Sequence, residues 1–282
     1  MKEKIASSHV EELLHSLTAP YDIATQLRQL GNDHKDALLR HAKSLLKNSK
    51  EHALDGLTAH RPDNVQPIDP HDIIELLRSE APDLVPDALD RLYASLNDAH
   101  HQRHRAPAAA AVAARGGGPR AHAPDDSWCP RHLSFVALEL VRRHASRLRE
   151  IQEIRDRGAR QLEQAGAAPG GSGASAGARS EAPAGEVPTL QRRLLDVLPH
   201  CAGDDVVAAL AELEPPPPVA DGWLVPQRAL LLSRLRRHEE ALSLLSREEG
   251  EPRADMAYCT SQPDAGASEL YPTLLRIYLE ED

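Results

Sequence analysis

His100, His101, His104 and His122, with Cys129 close behind, are the residues whose types most readily suggest metal chemistry, because imidazole nitrogens and thiolates are the usual zinc ligands. Zinc ligands need groups behind them to fix their direction. These residues lie in or beside the tract 101–127, which has almost no large apolar residue to build such a support. A solvated, low-complexity tract is therefore the favoured reading, and no metal is expected. Two acid pairs, Asp125-Asp126 and Asp204-Asp205, have the residue type for general acid–base work. Each precedes a helical segment, where carboxylates complement the helix dipole, so capping is favoured, with Asp204 or Asp205 as an N-cap. Glu248, Glu249 and Glu251 are more simply a solvated helix end. Cys259 and His238 offer a nucleophile and a base. Tyr258-Cys259 reads better as helix-interface packing, since a free cysteine behaves as a small hydrophobe. The glycine runs at 116–118 and 170–173 neither follow strands nor open phosphate-binding helices. No catalytic constellation emerges and no cofactor is expected. A non-enzymatic protein is the expectation, with an uncharacterised enzyme as the outsider.

A different kind of candidate is the arginine-rich face at Arg142, Arg143, Arg147, Arg149, Arg155, Arg157 and Arg160. It offers a binding surface. Glu139, Glu150, Glu153 and Asp156 are interleaved with it at spacings that allow pairing one helical turn apart. A charge-laced exposed helix is the favoured reading.

The elements that must position these residues are all helical. The chain has 282 residues, and only 3% of them are aromatic. Strand-favouring residues are scarce, while Leu, Ala, Arg and Glu, good helix formers, dominate. The apolar spacing predicts helical hairpins over residues 1–100, beginning with Leu13, Leu14 and Leu17 on one face. Asp69-Pro70 has the form of an N-cap followed by proline at the first helical position. Residues 101–127 are expected to be a disordered insertion, because they cannot bury enough surface to offset ordering entropy. A long helical segment follows over 128–165, then a flexible Gly/Ala/Ser/Pro linker over 166–187. Residues 188–282 return to helical repeats. The predicted fold is all-α, an α-solenoid of helical hairpins with two disordered insertions.

The formal net charge of −10 argues against nucleic acid as the main partner. Three cysteines, Cys129, Cys201 and Cys259, form neither a disulfide framework nor a paired metal knuckle. The N-terminus shows no secretory signal, and no stretch approaches the roughly 18 consecutive apolar residues of a membrane span. A soluble, intracellular protein is expected.

The most specific stretch is WLVPQRALLLSRLRRHEEALSLLSREEGEPRADMAYC, which pairs two helices and opens a third. Small Ala229 and Ala241 let the axes approach, and Leu231, Leu235, Leu242 and Leu245 fill the gap. Tyr258 and Leu275 complete the expected repeat packing. This is the pattern of tetratricopeptide-like or clathrin-heavy-chain-like repeats. ALLLSRLRRHEEAL at 229–242, MAYC at 256–259 and LLRIYL at 274–279 fall in the order and spacing of one family. A second match lies upstream, where an RP-containing loop precedes the helix at PHDIIELLRSE. The chain thus resembles the TGF-beta receptor-associated family, which includes subunits of the CORVET and HOPS endosomal tethering complexes. The resemblance covers about residues 35–100 and 188–282. It implies a vacuolar-protein-sorting scaffold for vesicle-mediated and intracellular protein transport. Such a scaffold is cytoplasmic and peripheral on endosome or lysosome membranes. The implied partners are tethering-complex subunits and, through them, Rab GTPases. An adaptor for the cytoplasmic domains of TGF-beta-type receptors is the alternative. Members also carry a β-propeller-type domain and a RING-like zinc segment. Neither is present here, so the chain is expected to span only the middle-to-late solenoid.

Overall fold

The computed structural model describes residues 19–30, 32–59, 67–105, 128–166, 185–215, 223–247, 252–261 and 267–280. Among these residues every regular element is helical and no strand occurs. The chain is all-α. In order, the helices are α1 (Pro20–Gln29), α2 (Lys35–Asn48), α3 (Lys50–Thr58), α4 (Pro70–Glu80), α5 (Val85–Arg105) and α6 (Trp128–Gly166). They continue with α7 (Glu186–Val197), α8 (Asp204–Glu212), α9 (Val225–Arg234), α10 (His238–Ser246), α11 (Pro252–Ser261) and α12 (Ala267–Glu280). The chain divides into two compact units, Met1–Ala137 and Leu138–Asp282.

In the first unit, local signals set the helix ends and apolar stripes set the packing. The Asp69 Oδ1 accepts the His71 amide at 2.9 Å, and Pro70 occupies the first position of α4, as the sequence predicts. Helix α2 buries Ala37, Leu38, Ala42, Leu45 and Leu46, a stripe of helical period. Each helix meets its next and its next-but-one neighbour: α1 packs on α2 and α3, α2 on α3 and α4, and α3 and α4 both on α5. Ion pairs follow the same order. Lys35 reaches Asp72 at 2.6 Å and Lys43 reaches Glu80 at 2.5 Å. The second pair lies the same number of residues further along both helices, so α2 and α4 run in the same direction. Arg91 pairs with Asp55 across α5 and α3.

Helices α1 and α3 approach closely at Gly56, where a Cβ would stand 3.3 Å from Leu27. A larger side chain there has to push α1 away, and overpacking of that kind costs about 1–3 kcal/mol. Gly56→Leu is therefore expected to lower the denaturant midpoint clearly. Gly158, inside α6, has nothing within 4 Å of its would-be Cβ. Gly158→Ala is expected to raise stability by about 0.5–1 kcal/mol, because the glycine's backbone entropy is its only local effect. Equilibrium urea unfolding of the two variants checks both signs.

Three sequence expectations are corrected. Helix α5 runs to Arg105, so residues 101–105, assigned to the first insertion, are helical. Extending an existing helix adds a backbone hydrogen bond for each residue fixed, which suffices without burial. Helix α7 begins at Glu186, two residues inside the expected linker, and α6 ends at Gly166. The N-cap of α8 is Gly203, not Asp204 or Asp205. Its φ of 55° and ψ of −129° suit glycine alone, so the turn is made by the backbone and the two aspartates fill the first turn. The rest of the two insertions (106–127 and 167–184) lies outside the described residues, as do Leu13, Leu14, Leu17, Asp125 and Asp126.

Among the described residues no helix is long and apolar enough to cross a membrane.

Candidate functional site

The second unit assembles its best-defined core from α9 to α12. Val225, Ala229 and Leu232 of α9 meet Ala241, Leu242 and Leu245 of α10, then Tyr258 and Cys259 of α11, then Leu270, Leu274 and Ile277 of α12. The small residues Ala229 and Ala241 are buried at 3% and 0% exposure, where two axes come together. Leu231 is fully buried, while Leu235 is half-buried at the end of α9. Leu275 departs from its expected packing role: it is 63% exposed. Its neighbour Leu274 takes the inward place because consecutive helical residues are turned by about 100°.

The turn from α9 to α10 is made by Arg236, which has a positive φ of 59°. The Arg237 amide donates to the Leu232 carbonyl and the Arg236 amide to the Ser233 carbonyl, each at 2.9 Å. That pair of bonds is a Schellman closure. The left-handed position normally belongs to glycine, and a side chain there costs about 1–2 kcal/mol. Arg236→Gly is accordingly expected to raise the melting temperature, as differential scanning calorimetry would show.

Polar groups inside this core are tied to one another. The Tyr258 hydroxyl lies 2.8 Å from His238 Nδ1, and burial pushes its pKa up to about 12 against the lowering effect of Ser233. Asp255 is 2% exposed. Its Oδ1 accepts the Met256 amide at 2.7 Å and its Oδ2 accepts the Tyr278 hydroxyl.

The geometry around Cys259 is that of packing. Burial raises the thiol's pKa, the opposite of what an activated nucleophile requires, and His238 is engaged with Tyr258. Cys201 is likewise buried and its thiol is pushed up to about 11. In a Cys129→Ser background, both thiols are expected to resist a disulfide reagent in the native protein and to react on denaturation. Rapid labelling of the folded chain would contradict this.

The arginine face of α6 is internally paired. Arg142 meets Glu139 at 2.7 Å and Glu212 at 3.4 Å. Arg147 holds Glu186 at 2.7 Å and Glu150 at 3.1 Å. Glu186 is thereby held below the usual carboxylate range and the Arg147 guanidinium is raised. Arg149 donates to the Glu212 carbonyl, and Arg157 reaches Glu153 at 3.8 Å. The result is a charge-laced helix that docks α7 and α8.

One grouping has no counterpart in the sequence reading. His71, Asp72 and Glu75 bring possible ligand atoms within 4.8 Å of one another at the start of α4. Asp72 is already held by Lys35, and the His71 ring lies 5.4 Å from that of Phe135. The histidine tract seen in the sequence is largely outside the described residues, including His122 and Cys129.

What remains as an interaction surface is the outer side of the last helices. Leu275, Tyr278 and Leu279 of α12 are 63%, 40% and 77% exposed, and Met256 of α11 is 54% exposed. Helix α12 is therefore apolar both where it faces the core and beyond it, more than burial on α10 and α11 requires. Comparison with family models, with curated proteins and with solved structures returned no match.

Proposed function

We propose that this chain is a non-enzymatic α-solenoid scaffold that serves endosomal and lysosomal vesicle tethering in intracellular protein transport. The supporting pattern in the sequence is the ordered set of motifs at 229–242, 256–259 and 274–279. The next and next-but-one packing of successive helices supports the solenoid, because stacked repeats bury each face on the following one. The observation that carries the proposal is the second apolar face of α12, with Leu275, Tyr278 and Leu279 turned outward. In such a scaffold that face receives a helix of a tethering-complex subunit. Attachment to endosome and lysosome membranes is then peripheral and indirect, through partners that include Rab GTPases, and the chain itself is cytoplasmic.

The test is affinity capture from cell extract with the full chain and with a Leu275→Asp/Leu279→Asp variant. Tethering-complex subunits are expected with the wild type and not with the variant, at unchanged helical circular dichroism. A well-folded wild-type chain that recovers none of those subunits overturns the proposal.

A further inference from the structure

A cleft of about 350 Å³ lies between α8, α9 and α10. It is distinct from the α12 face and independent of the tethering proposal. Its apolar part is formed by Leu210, Leu232 and Leu244, which pack onto the core at their inner ends. Its polar part is cationic. Arg228, Arg237 and Arg247 line it against Glu214 and Glu240. Glu240 is occupied by Arg237, whose Nε donates to it at 2.6 Å. Arg228 and Arg247 then face a single remaining carboxylate, in a chain whose formal net charge is −10.

Arg228 adds a specific vacancy for an acceptor. Its Nε is buried and has no hydrogen-bond partner. A buried donor left unsatisfied costs about 1–3 kcal/mol, more when it is charged. The edge formed by Nε and a terminal nitrogen is the one a carboxylate meets with two parallel bonds. We propose that this cleft binds a protein segment carrying an aspartate or glutamate beside a bulky aliphatic residue. The carboxylate sits on Arg228 and the aliphatic side chain on Leu210, Leu232 and Leu244. Nucleic acid fits less well. The cleft's lining offers no aromatic ring for base stacking, and the chain's overall charge repels a phosphate backbone.

The experiment is selection of a random displayed library of peptides, about twelve residues long to cover one such segment, on the immobilised full chain. Enriched peptides are then measured by fluorescence anisotropy. The expected result is enrichment of an acidic residue within two positions of Leu, Ile or Met. Arg228→Gln and Leu244→Asp are each expected to weaken binding by about tenfold or more, and Arg155→Gln on α6 by less than about twofold. Arg228→Gln makes no core contact to lose, and its melting curve is expected to match the wild type, which separates binding from folding. No enrichment, or equal binding by the folded Arg228→Gln variant, overturns the proposal. Binding of a single-stranded oligothymidine that Arg228→Gln abolishes also overturns it, in favour of an anionic polymer.

Discussion

Leu242→Ala is expected to destabilise the second unit by about 3 kcal/mol, within the range for removing most of a fully buried leucine. The side chain is 0% exposed and belongs to the cluster joining α9, α10, α11 and α12. Shortening it opens a cavity among neighbours that are themselves fixed by packing. Ala229 and Ala241 are too small to reach inward, so collapse into the cavity has to move whole helices. The full loss is therefore expected rather than a relaxed fraction. Urea unfolding of the full chain would show it as a lower midpoint for the transition of this unit, with an unchanged slope. Leu275→Ala is the matched control, since Leu275 is 63% exposed. Its effect is expected within about 0.5 kcal/mol. Equal losses for the two substitutions would mean that the inward and outward faces of α12 are misassigned.

That control marks where the sequence is legible and where it is not. The pattern Leu274-Leu275-Arg276-Ile277-Tyr278-Leu279 shows a helix but has too many apolar residues for one buried stripe. Periodicity alone cannot choose between Leu274 and Leu275, because either completes a helical face. The choice comes from what α10 and α11 present to it. Signals that act within a few residues fare better. Asp69-Pro70 caps α4 as its residue types dictate, and the break at Arg236-Arg237 falls where α9 closes. Gly203 shows the limit of that logic. Two aspartates with ideal capping chemistry follow it, yet the chain turns at the glycine because only that residue reaches the required backbone angles. The arginine face of α6 carried its own answer in the interleaved glutamates. Its cross-helix partners, Glu186 and Glu212, lie too far along the chain for any helical spacing to reveal. The same holds for Asp255, which has the composition of a surface residue and the burial of a core one.

Asp255 is the basis of the other large effect. Tyr278→Phe is expected to cost about 2 kcal/mol, the scale of a hydrogen bond to a charged group. The Asp255 side chain, 2% exposed in the first turn of α11, has one oxygen on the Met256 amide and the other on the Tyr278 hydroxyl. Deleting the hydroxyl leaves that second oxygen buried without this donor, whereas the phenyl ring itself still packs as before. The loss should therefore be electrostatic and conditional on Asp255. In an Asp255→Asn/Tyr278→Phe pair the uncompensated charge is gone, and the double variant is expected to be more stable than the sum of the single changes predicts. Strict additivity would show that the tie contributes nothing. The bond also has a directional consequence. It joins α12 to α11 on the flank of the outward residues Leu275 and Leu279, so it fixes how that apolar face is presented. Tyr278→Phe should then weaken partner capture by more than its loss of stability alone explains. Arg236→Gly, which changes stability at the opposite end of α10, should leave capture unchanged.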